Sequence, residues 1–166
     1  MKRLITLVFL TALVFPAVGQ LDSYAHFYYN GRAIWYEQSI KNPGVNLEQW
    51  LMSRSCFRNY RQEKTRISVD MVEFIPKKGA NLYFGFVTIT PDSVGYKVKV
   101  MNITYKLGAD ALFSMSSYPG FNGNNPEVKL EEFYARGGKF KRSSKLKNLS
   151  AAFDMLFDYK AKQELR

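Results

Sequence analysis

The chain holds one histidine and one cysteine in 166 residues, and this limits the chemistry open to it. Nucleophilic catalysis through a Ser–His–Asp or Cys–His arrangement would have to use His26. No local motif singles out a partner for it, so His26 is expected to be an exposed or half-packed strand residue. Cys56 stands between Arg54 and Arg58, cations that lower a thiol's pKa. A lone cysteine is more commonly a small buried hydrophobe, and an inert core residue is the expectation. Metal sites need clustered His, Cys or carboxylate ligands. Asp70 and Glu73 lie three apart in a strand-like segment and should point to opposite faces, as should adjacent Glu131 and Glu132 if extended. Gly137-Gly138 lacks the further glycines, strand and helix of a phosphate loop. The expectation is no enzyme, no metal and no cofactor.

Two features suit binding instead. The first is a basic run with Arg136, Lys139, Lys141, Arg142, Lys145 and Lys147, which would attract an anionic surface. Phe140 and Leu146 within it would enter a head-group boundary or anchor the run to the core. The second is an aromatic excess of 13 Phe, 11 Tyr and 2 Trp. Most must be core, because aromatics bury large areas. Tyr28, Tyr29, Trp35, Tyr36, Tyr83 and Tyr118 exceed the needs of a small helix-backed sheet. They are candidates for an aromatic face toward a protein or glycan, or for the wall of an apolar ligand site.

The N-terminus limits which partners are in reach. Met1-Lys2-Arg3, an apolar block from Leu4 to Phe15 and small residues at Ala17 and Gly19 form the three parts of a secretory signal. The block is shorter than a membrane span, and no cysteine follows Gly19 for lipidation. Residues 1–19 are expected to be removed, leaving 20–166 as one exported domain that does not span the membrane, periplasmic or secreted. Without Lys2 and Arg3 the chain keeps 22 Lys and Arg against 14 Asp and Glu, a net +8. That balance favours anionic partners such as head groups or acidic polysaccharide; export argues against nucleic acid.

Elements must hold these residues in place. Residues 26–36 read as an edge strand or short hairpin turning at Asn30-Gly31. Asn46 and Gln49 make a capping-box pattern for a helix over 46–57. Strands follow at 66–76, 81–90 and 96–105. Gly85 suggests a bend, a bulge or a close approach. In 96–105 the apolar set shifts from Tyr96, Val98 and Val100 to Met101, Ile103 and Tyr105, as a bulge near 100–102 would cause. Residues 118–126 are turn formers, 128–135 a further strand, 139–147 a basic connector, and 149–165 a terminal helix. The fold class expected is α+β: an antiparallel sheet of four to five strands with two helices on one face, in the order β-α-β-β-β-(β)-α.

Three patterns carry a resemblance: Asn46-Leu47-Glu48-Gln49-Trp50 after an aromatic segment, the strand start Gly95-Tyr96-Lys97-Val98, and the basic-ended terminal helix. From about Tyr24 to Leu165 the chain resembles an uncharacterised family of exported Bacteroidetes domains with a TBP-like fold. The resemblance implies a curved sheet backed by helices; it implies neither DNA binding nor a function. The expectation is a non-catalytic interaction module of the cell envelope, engaging a protein, a glycan or an anionic lipid surface. The alternative is a carrier of a small apolar or amphipathic ligand held between sheet and terminal helix.

Overall fold

The computed structural model describes residues 21–41, 44, 46–77, 80–93, 95–117 and 123–158. The expected signal, Tyr118, and the basic end of the terminal helix lie outside these residues. The elements are β1 (Asp22–Tyr24), β2 (Phe27–Tyr29), β3 (Ile34–Lys41), α1 (Leu47–Met52), β4 (Phe57–Gln62), β5 (Ile67–Phe74), β6 (Leu82–Asp92) and β7 (Gly95–Lys106). Then come α2 (Ala109–Ser116), β8 (Val128–Lys129), α3 (Leu130–Tyr134), β9 (Ala135–Arg136), β10 (Lys139–Phe140) and α4 (Ser144–Phe157).

The fold is α+β, with an eight-stranded antiparallel sheet larger than the four or five strands expected. Its order is β1-β2-β3-β7-β6-β5-β4, with β8 pairing β7 beyond the end of β3. The hairpin at Asn30-Gly31 is present: Asn30 Oδ1 accepts from the backbone N–H of Arg32 and of Ala33, both at 3.0 Å. The alternative of an edge strand does not hold, because β1 pairs with the outer side of β2 and β3 lies between β2 and β7. The long link from β3 through α1 carries the chain to the far edge, where β4 starts a simple meander back to β7.

Bulges mark three of these strands. In β7, Asn102 and Ile103 face the single residue Gly85 of β6, and Asn102 takes φ +52. Asn tolerates that left-handed backbone. The inward set therefore runs Val98, Val100, Ile103, Tyr105. The expected shift is real, but Asn102 is the extra residue, and Met101 stays half-exposed opposite Phe86. Asn59 in β4 and Glu73 in β5 sit at the other two register shifts with φ +53 and +51. Such bulges bend and twist the strands that carry them.

Gly85 is required by close approach. A Cβ there would stand 3.0 Å from Val100 Cγ1 and 3.2 Å from the Met101 carbonyl oxygen. The backbone oxygen yields less readily than a side chain. Gly85→Ala is therefore expected to destabilise by about 1–2 kcal/mol, the crowding exceeding the gain from removing a strand glycine. A urea midpoint at or above that of the parent would show that the bulge relaxes freely.

Against the inward face lies α4, capped by Ser143, whose hydroxyl accepts from Leu146 N at 3.2 Å. Its buried residues Leu146, Leu149, Ser150, Phe153, Leu156 and Phe157 fall at helical spacing. Phe153 meets Phe27, Tyr36 and Phe74, and Phe157 stacks on Tyr36 and Phe57. The helix starts five residues before the expected 149, so Lys145 and Lys147 are helical and the connector is shorter. Two further corrections concern short helices. α1 ends at Met52 rather than 57, because Phe57 already pairs with Met71 in the sheet. Residues 128–135 are a strand only at their ends, Val128–Lys129 of β8 and Ala135 of β9; α3 lies between, burying Leu130 and Tyr134 four apart. α2 buries none of its side chains, and Phe113 on it is 81 % exposed.

Candidate functional site

Strand parity divides the expected aromatic face. Tyr29, Tyr36 and Tyr83 point inward and are core, at 6, 0 and 7 % exposure. Tyr28 and Trp35 are directly paired, half-buried, and stack with ring centroids 5.8 Å apart. They belong to the outward face of the sheet. Lys99 Nζ sits 4.7 Å from the centroid of the Trp35 ring, and Trp35 Nε1 donates to Glu37 Oε2 at 3.3 Å. Glu37 in turn pairs with Lys97 and Lys99. Trp35 thus meets Tyr28, a cation and an acceptor within its own sheet.

The basic run is built differently. β9 and β10 form a hairpin through Gly137-Gly138, at φ +59 and +77. A two-residue turn of that hand needs positive φ at both positions, which glycine supplies. Arg136 and Lys139 are directly opposite at its tip and exposed. Asp22 of β1 anchors the base: its Oδ2 accepts from Phe140 N at 3.0 Å, and its Oδ1 pairs with Arg142 at 3.6 Å. The Phe140 N–H, and less strongly Arg142, hold the Asp22 carboxyl below its usual value. Phe140 packs on Tyr29, and Leu146 is fully buried in the core cluster. Neither is free to enter a head-group layer; both anchor the run.

All six basic residues are exposed. Arg142 lies over the Tyr24 ring, and Lys141 over Phe133 at 5.3 Å. Among the described residues, Arg136, Lys139, Lys145 and Lys147 have no carboxylate within ion-pair distance. Lys145 and Lys147 stand in the first four residues of α4, whose first turn holds no acid. Free N–H groups already make that end positive, so each cation there costs about 0.3–1 kcal/mol. The arrangement concentrates positive charge where helix stability would place negative charge.

His26 has a partner that sequence reasoning missed. Its Nδ1–H donates to Asp154 Oδ1 at 2.7 Å, and the buried Tyr36 hydroxyl donates to the same oxygen at 2.7 Å. Burial, then the adjacent Asp154 carboxylate, hold the Tyr36 hydroxyl protonated far above the usual phenol range. His26 N also donates to Ser150 Oγ at 3.2 Å. These bonds tie the β1–β2 turn and β3 to α4. Asp154 is visible in the sequence only as a polar residue beside Phe153, with nothing to link it to a site 128 positions away.

The remaining candidates for chemistry are dispersed. Asp70 accepts from Asn59 Nδ2 at 2.7 Å, Glu73 occupies a bulge, and Glu131 and Glu132 are on α3 rather than a strand. Among the described residues no three His, Cys, Asp or Glu side chains gather as a metal site. Burial pushes the Cys56 thiol up to about 11, outweighing Arg54 and Arg58, which act downward. At pH 8 its thiolate is scarce, so Cys56 should react with iodoacetamide at least about tenfold more slowly than free cysteine. The rate should climb as pH rises toward 11. Labelling as fast as free cysteine at pH 8 would show an exposed, activated thiol.

No helix among the described residues is long and apolar enough to cross a membrane. Comparison with protein families, with curated proteins and with solved structures finds no match to the chain.

Proposed function

We propose that the chain is an exported, non-catalytic interaction module that binds an anionic component of the cell envelope through the β9–β10 hairpin and the start of α4. The observation that carries this reading is the placement of Lys145 and Lys147 at the positive end of a helix that follows exposed Arg136, Lys139 and Lys141 in the chain. Positions that break a local stability rule without compensation are where function is expected. The outward sheet face is the weaker candidate, since Trp35 is already engaged by Tyr28, Lys99 and Glu37. The non-catalytic part of the reading draws support from His26 and Asp154, whose bonds hold α4 to the sheet.

The TBP-like reading of the fold rests on the run from β3 through α1 to β5, β6 and β7 with α4 at the end; β1, β2, β4, α2, α3, β9 and β10 are additions to the expected order, and the expected fifth strand is reduced to β8. A carrier holding its ligand between sheet and α4 is the runner-up. Phe27, Phe57, Phe74, Phe153 and Phe157 fill that layer, which weighs against it.

Sedimentation with vesicles of phosphatidylglycerol and phosphatidylcholine, beside retention on an acidic polysaccharide gel, tests the proposal. Binding to one anionic support that weakens steeply with salt is expected, and the two arms distinguish a lipid from a polymer. Absence of binding to both at low salt would sink it.

A further inference from the structure

The apolar side chains near the basic run distinguish one anionic partner from another. Phe140 packs on Tyr29 and Leu146 is fully buried, so neither travels with the cations to a bilayer. Phe133 of α3, by contrast, is 44 % exposed. The hairpin reaches it: beyond the Phe140–Ala135 pair, Lys141 N donates to the Tyr134 carbonyl at 2.7 Å, and Lys141 Nζ lies 5.3 Å from the Phe133 centroid. Alternation from buried Phe140 turns Lys139 and Lys141 to the opposite, outer side, about 7 Å apart along the strand. Arg136 stands directly across from Lys139. These exposed cations lead along the hairpin to one exposed ring.

That ring is held in place. It meets Tyr105 and Tyr134 edge to face, at 6.3 and 4.9 Å between centroids, and both tyrosines are buried. An aromatic fixed before binding loses little freedom on contact. Among the described residues Lys141 has no carboxylate within ion-pair distance, whereas Lys99, over Trp35, is paired with Glu37.

We infer that the anionic component is a polymer of uronic acid sugars, laid along the outer side of the hairpin with one ring stacked on Phe133 and its carboxylate on Lys141. This rests on the envelope-binding reading of the same site and names its ligand class. A pyranose ring offers a flat C–H face to the electron-rich face of an aromatic ring, and the carboxylate at its edge reaches the ammonium beside that ring. A bilayer is flat. Bringing Phe133 to it would also bring exposed Glu132, the preceding residue of α3, against like charge. A single polymer chain follows the cations and avoids that carboxylate.

Calorimetry of the purified protein with oligogalacturonate, with polyphosphate and with phosphatidylglycerol vesicles tests this. Phe133→Ala should weaken oligogalacturonate binding about tenfold and leave polyphosphate affinity unchanged, since polyphosphate has charge but no sugar ring. The unchanged arm also shows that the variant is folded. Phe133→Leu, which keeps apolar bulk without a flat face, should behave alike, and Phe133→Tyr should bind as the parent does. Lys139→Gln with Lys141→Gln should weaken both polymers. Equal loss on both polymers in the Phe133 variants, or none on oligogalacturonate, overturns the inference. Binding to the vesicles without binding to oligogalacturonate also overturns it and leaves the envelope-binding reading standing with a lipid partner. Binding to none of the three ends both.

Discussion

Phe153→Ala is expected to remove about 3–5 kcal/mol of folding stability, as large-to-small changes at fully packed aromatic positions do. Phe153 has no exposed surface and lies at the centre of the helix–sheet contact. Its ring is 5.1 Å from Tyr36, 5.5 Å from Phe74 and 5.8 Å from Phe27 between centroids. No single strand could close around the space left, because those rings come from β2, β3 and β5. Domains of this size have about 5–15 kcal/mol in all, so about a fifth or more should be lost. Met155→Ala on the same helix, where Met155 is 55 % exposed, should stay within about 0.5 kcal/mol of the parent. Urea unfolding followed by circular dichroism reads both. A loss under about 1 kcal/mol at Phe153 would mean that α4 is not docked as described.

The second large effect separates function from stability by sign. Replacing Lys139, Lys141, Lys145 and Lys147 together by glutamine removes four exposed cations. Near an anionic surface each is worth about 1 kcal/mol, so affinity should fall at least about a hundredfold, allowing for non-additivity. Stability should move the other way. Losing cations at the start of α4 relieves about 0.3–1 kcal/mol at each of Lys145 and Lys147, raising the unfolding midpoint slightly. Residues with a purely structural role would lose stability on replacement. Unchanged binding, or a clear fall in stability, would remove the reason for regarding the run as a site.

How much was legible beforehand follows from the physics of each element. β5, β6 and β7 carry strong β-branched and aromatic runs, and their centres are where alternation places them. β4 was hidden by its own bulge: the extra residue puts Phe57 and Tyr60 three apart, a helical spacing. Its other residues are charged or polar, as on many exposed edges. The start of α4 was hidden because lysines in a first turn run against the usual helix signals. Adjacent strand residues point to opposite faces, so Tyr28 with Tyr29, and Trp35 with Tyr36, could never have shared one aromatic face. Parity alone would have sorted them. The basic run was legible as charge, whereas its anchoring by Asp22 depends on a contact 118 positions long that no local pattern encodes.

The most direct test of the central claim is amide hydrogen exchange with and without the anionic support that binds best. The β9–β10 hairpin, the segment to Ser143 and the first turn of α4 should exchange more slowly when bound, with β3 and β7 unchanged. Protection confined to the strands around Trp35 and Lys97, with residues 136–147 unaffected, would contradict the account and move the binding surface to the outward face of the sheet.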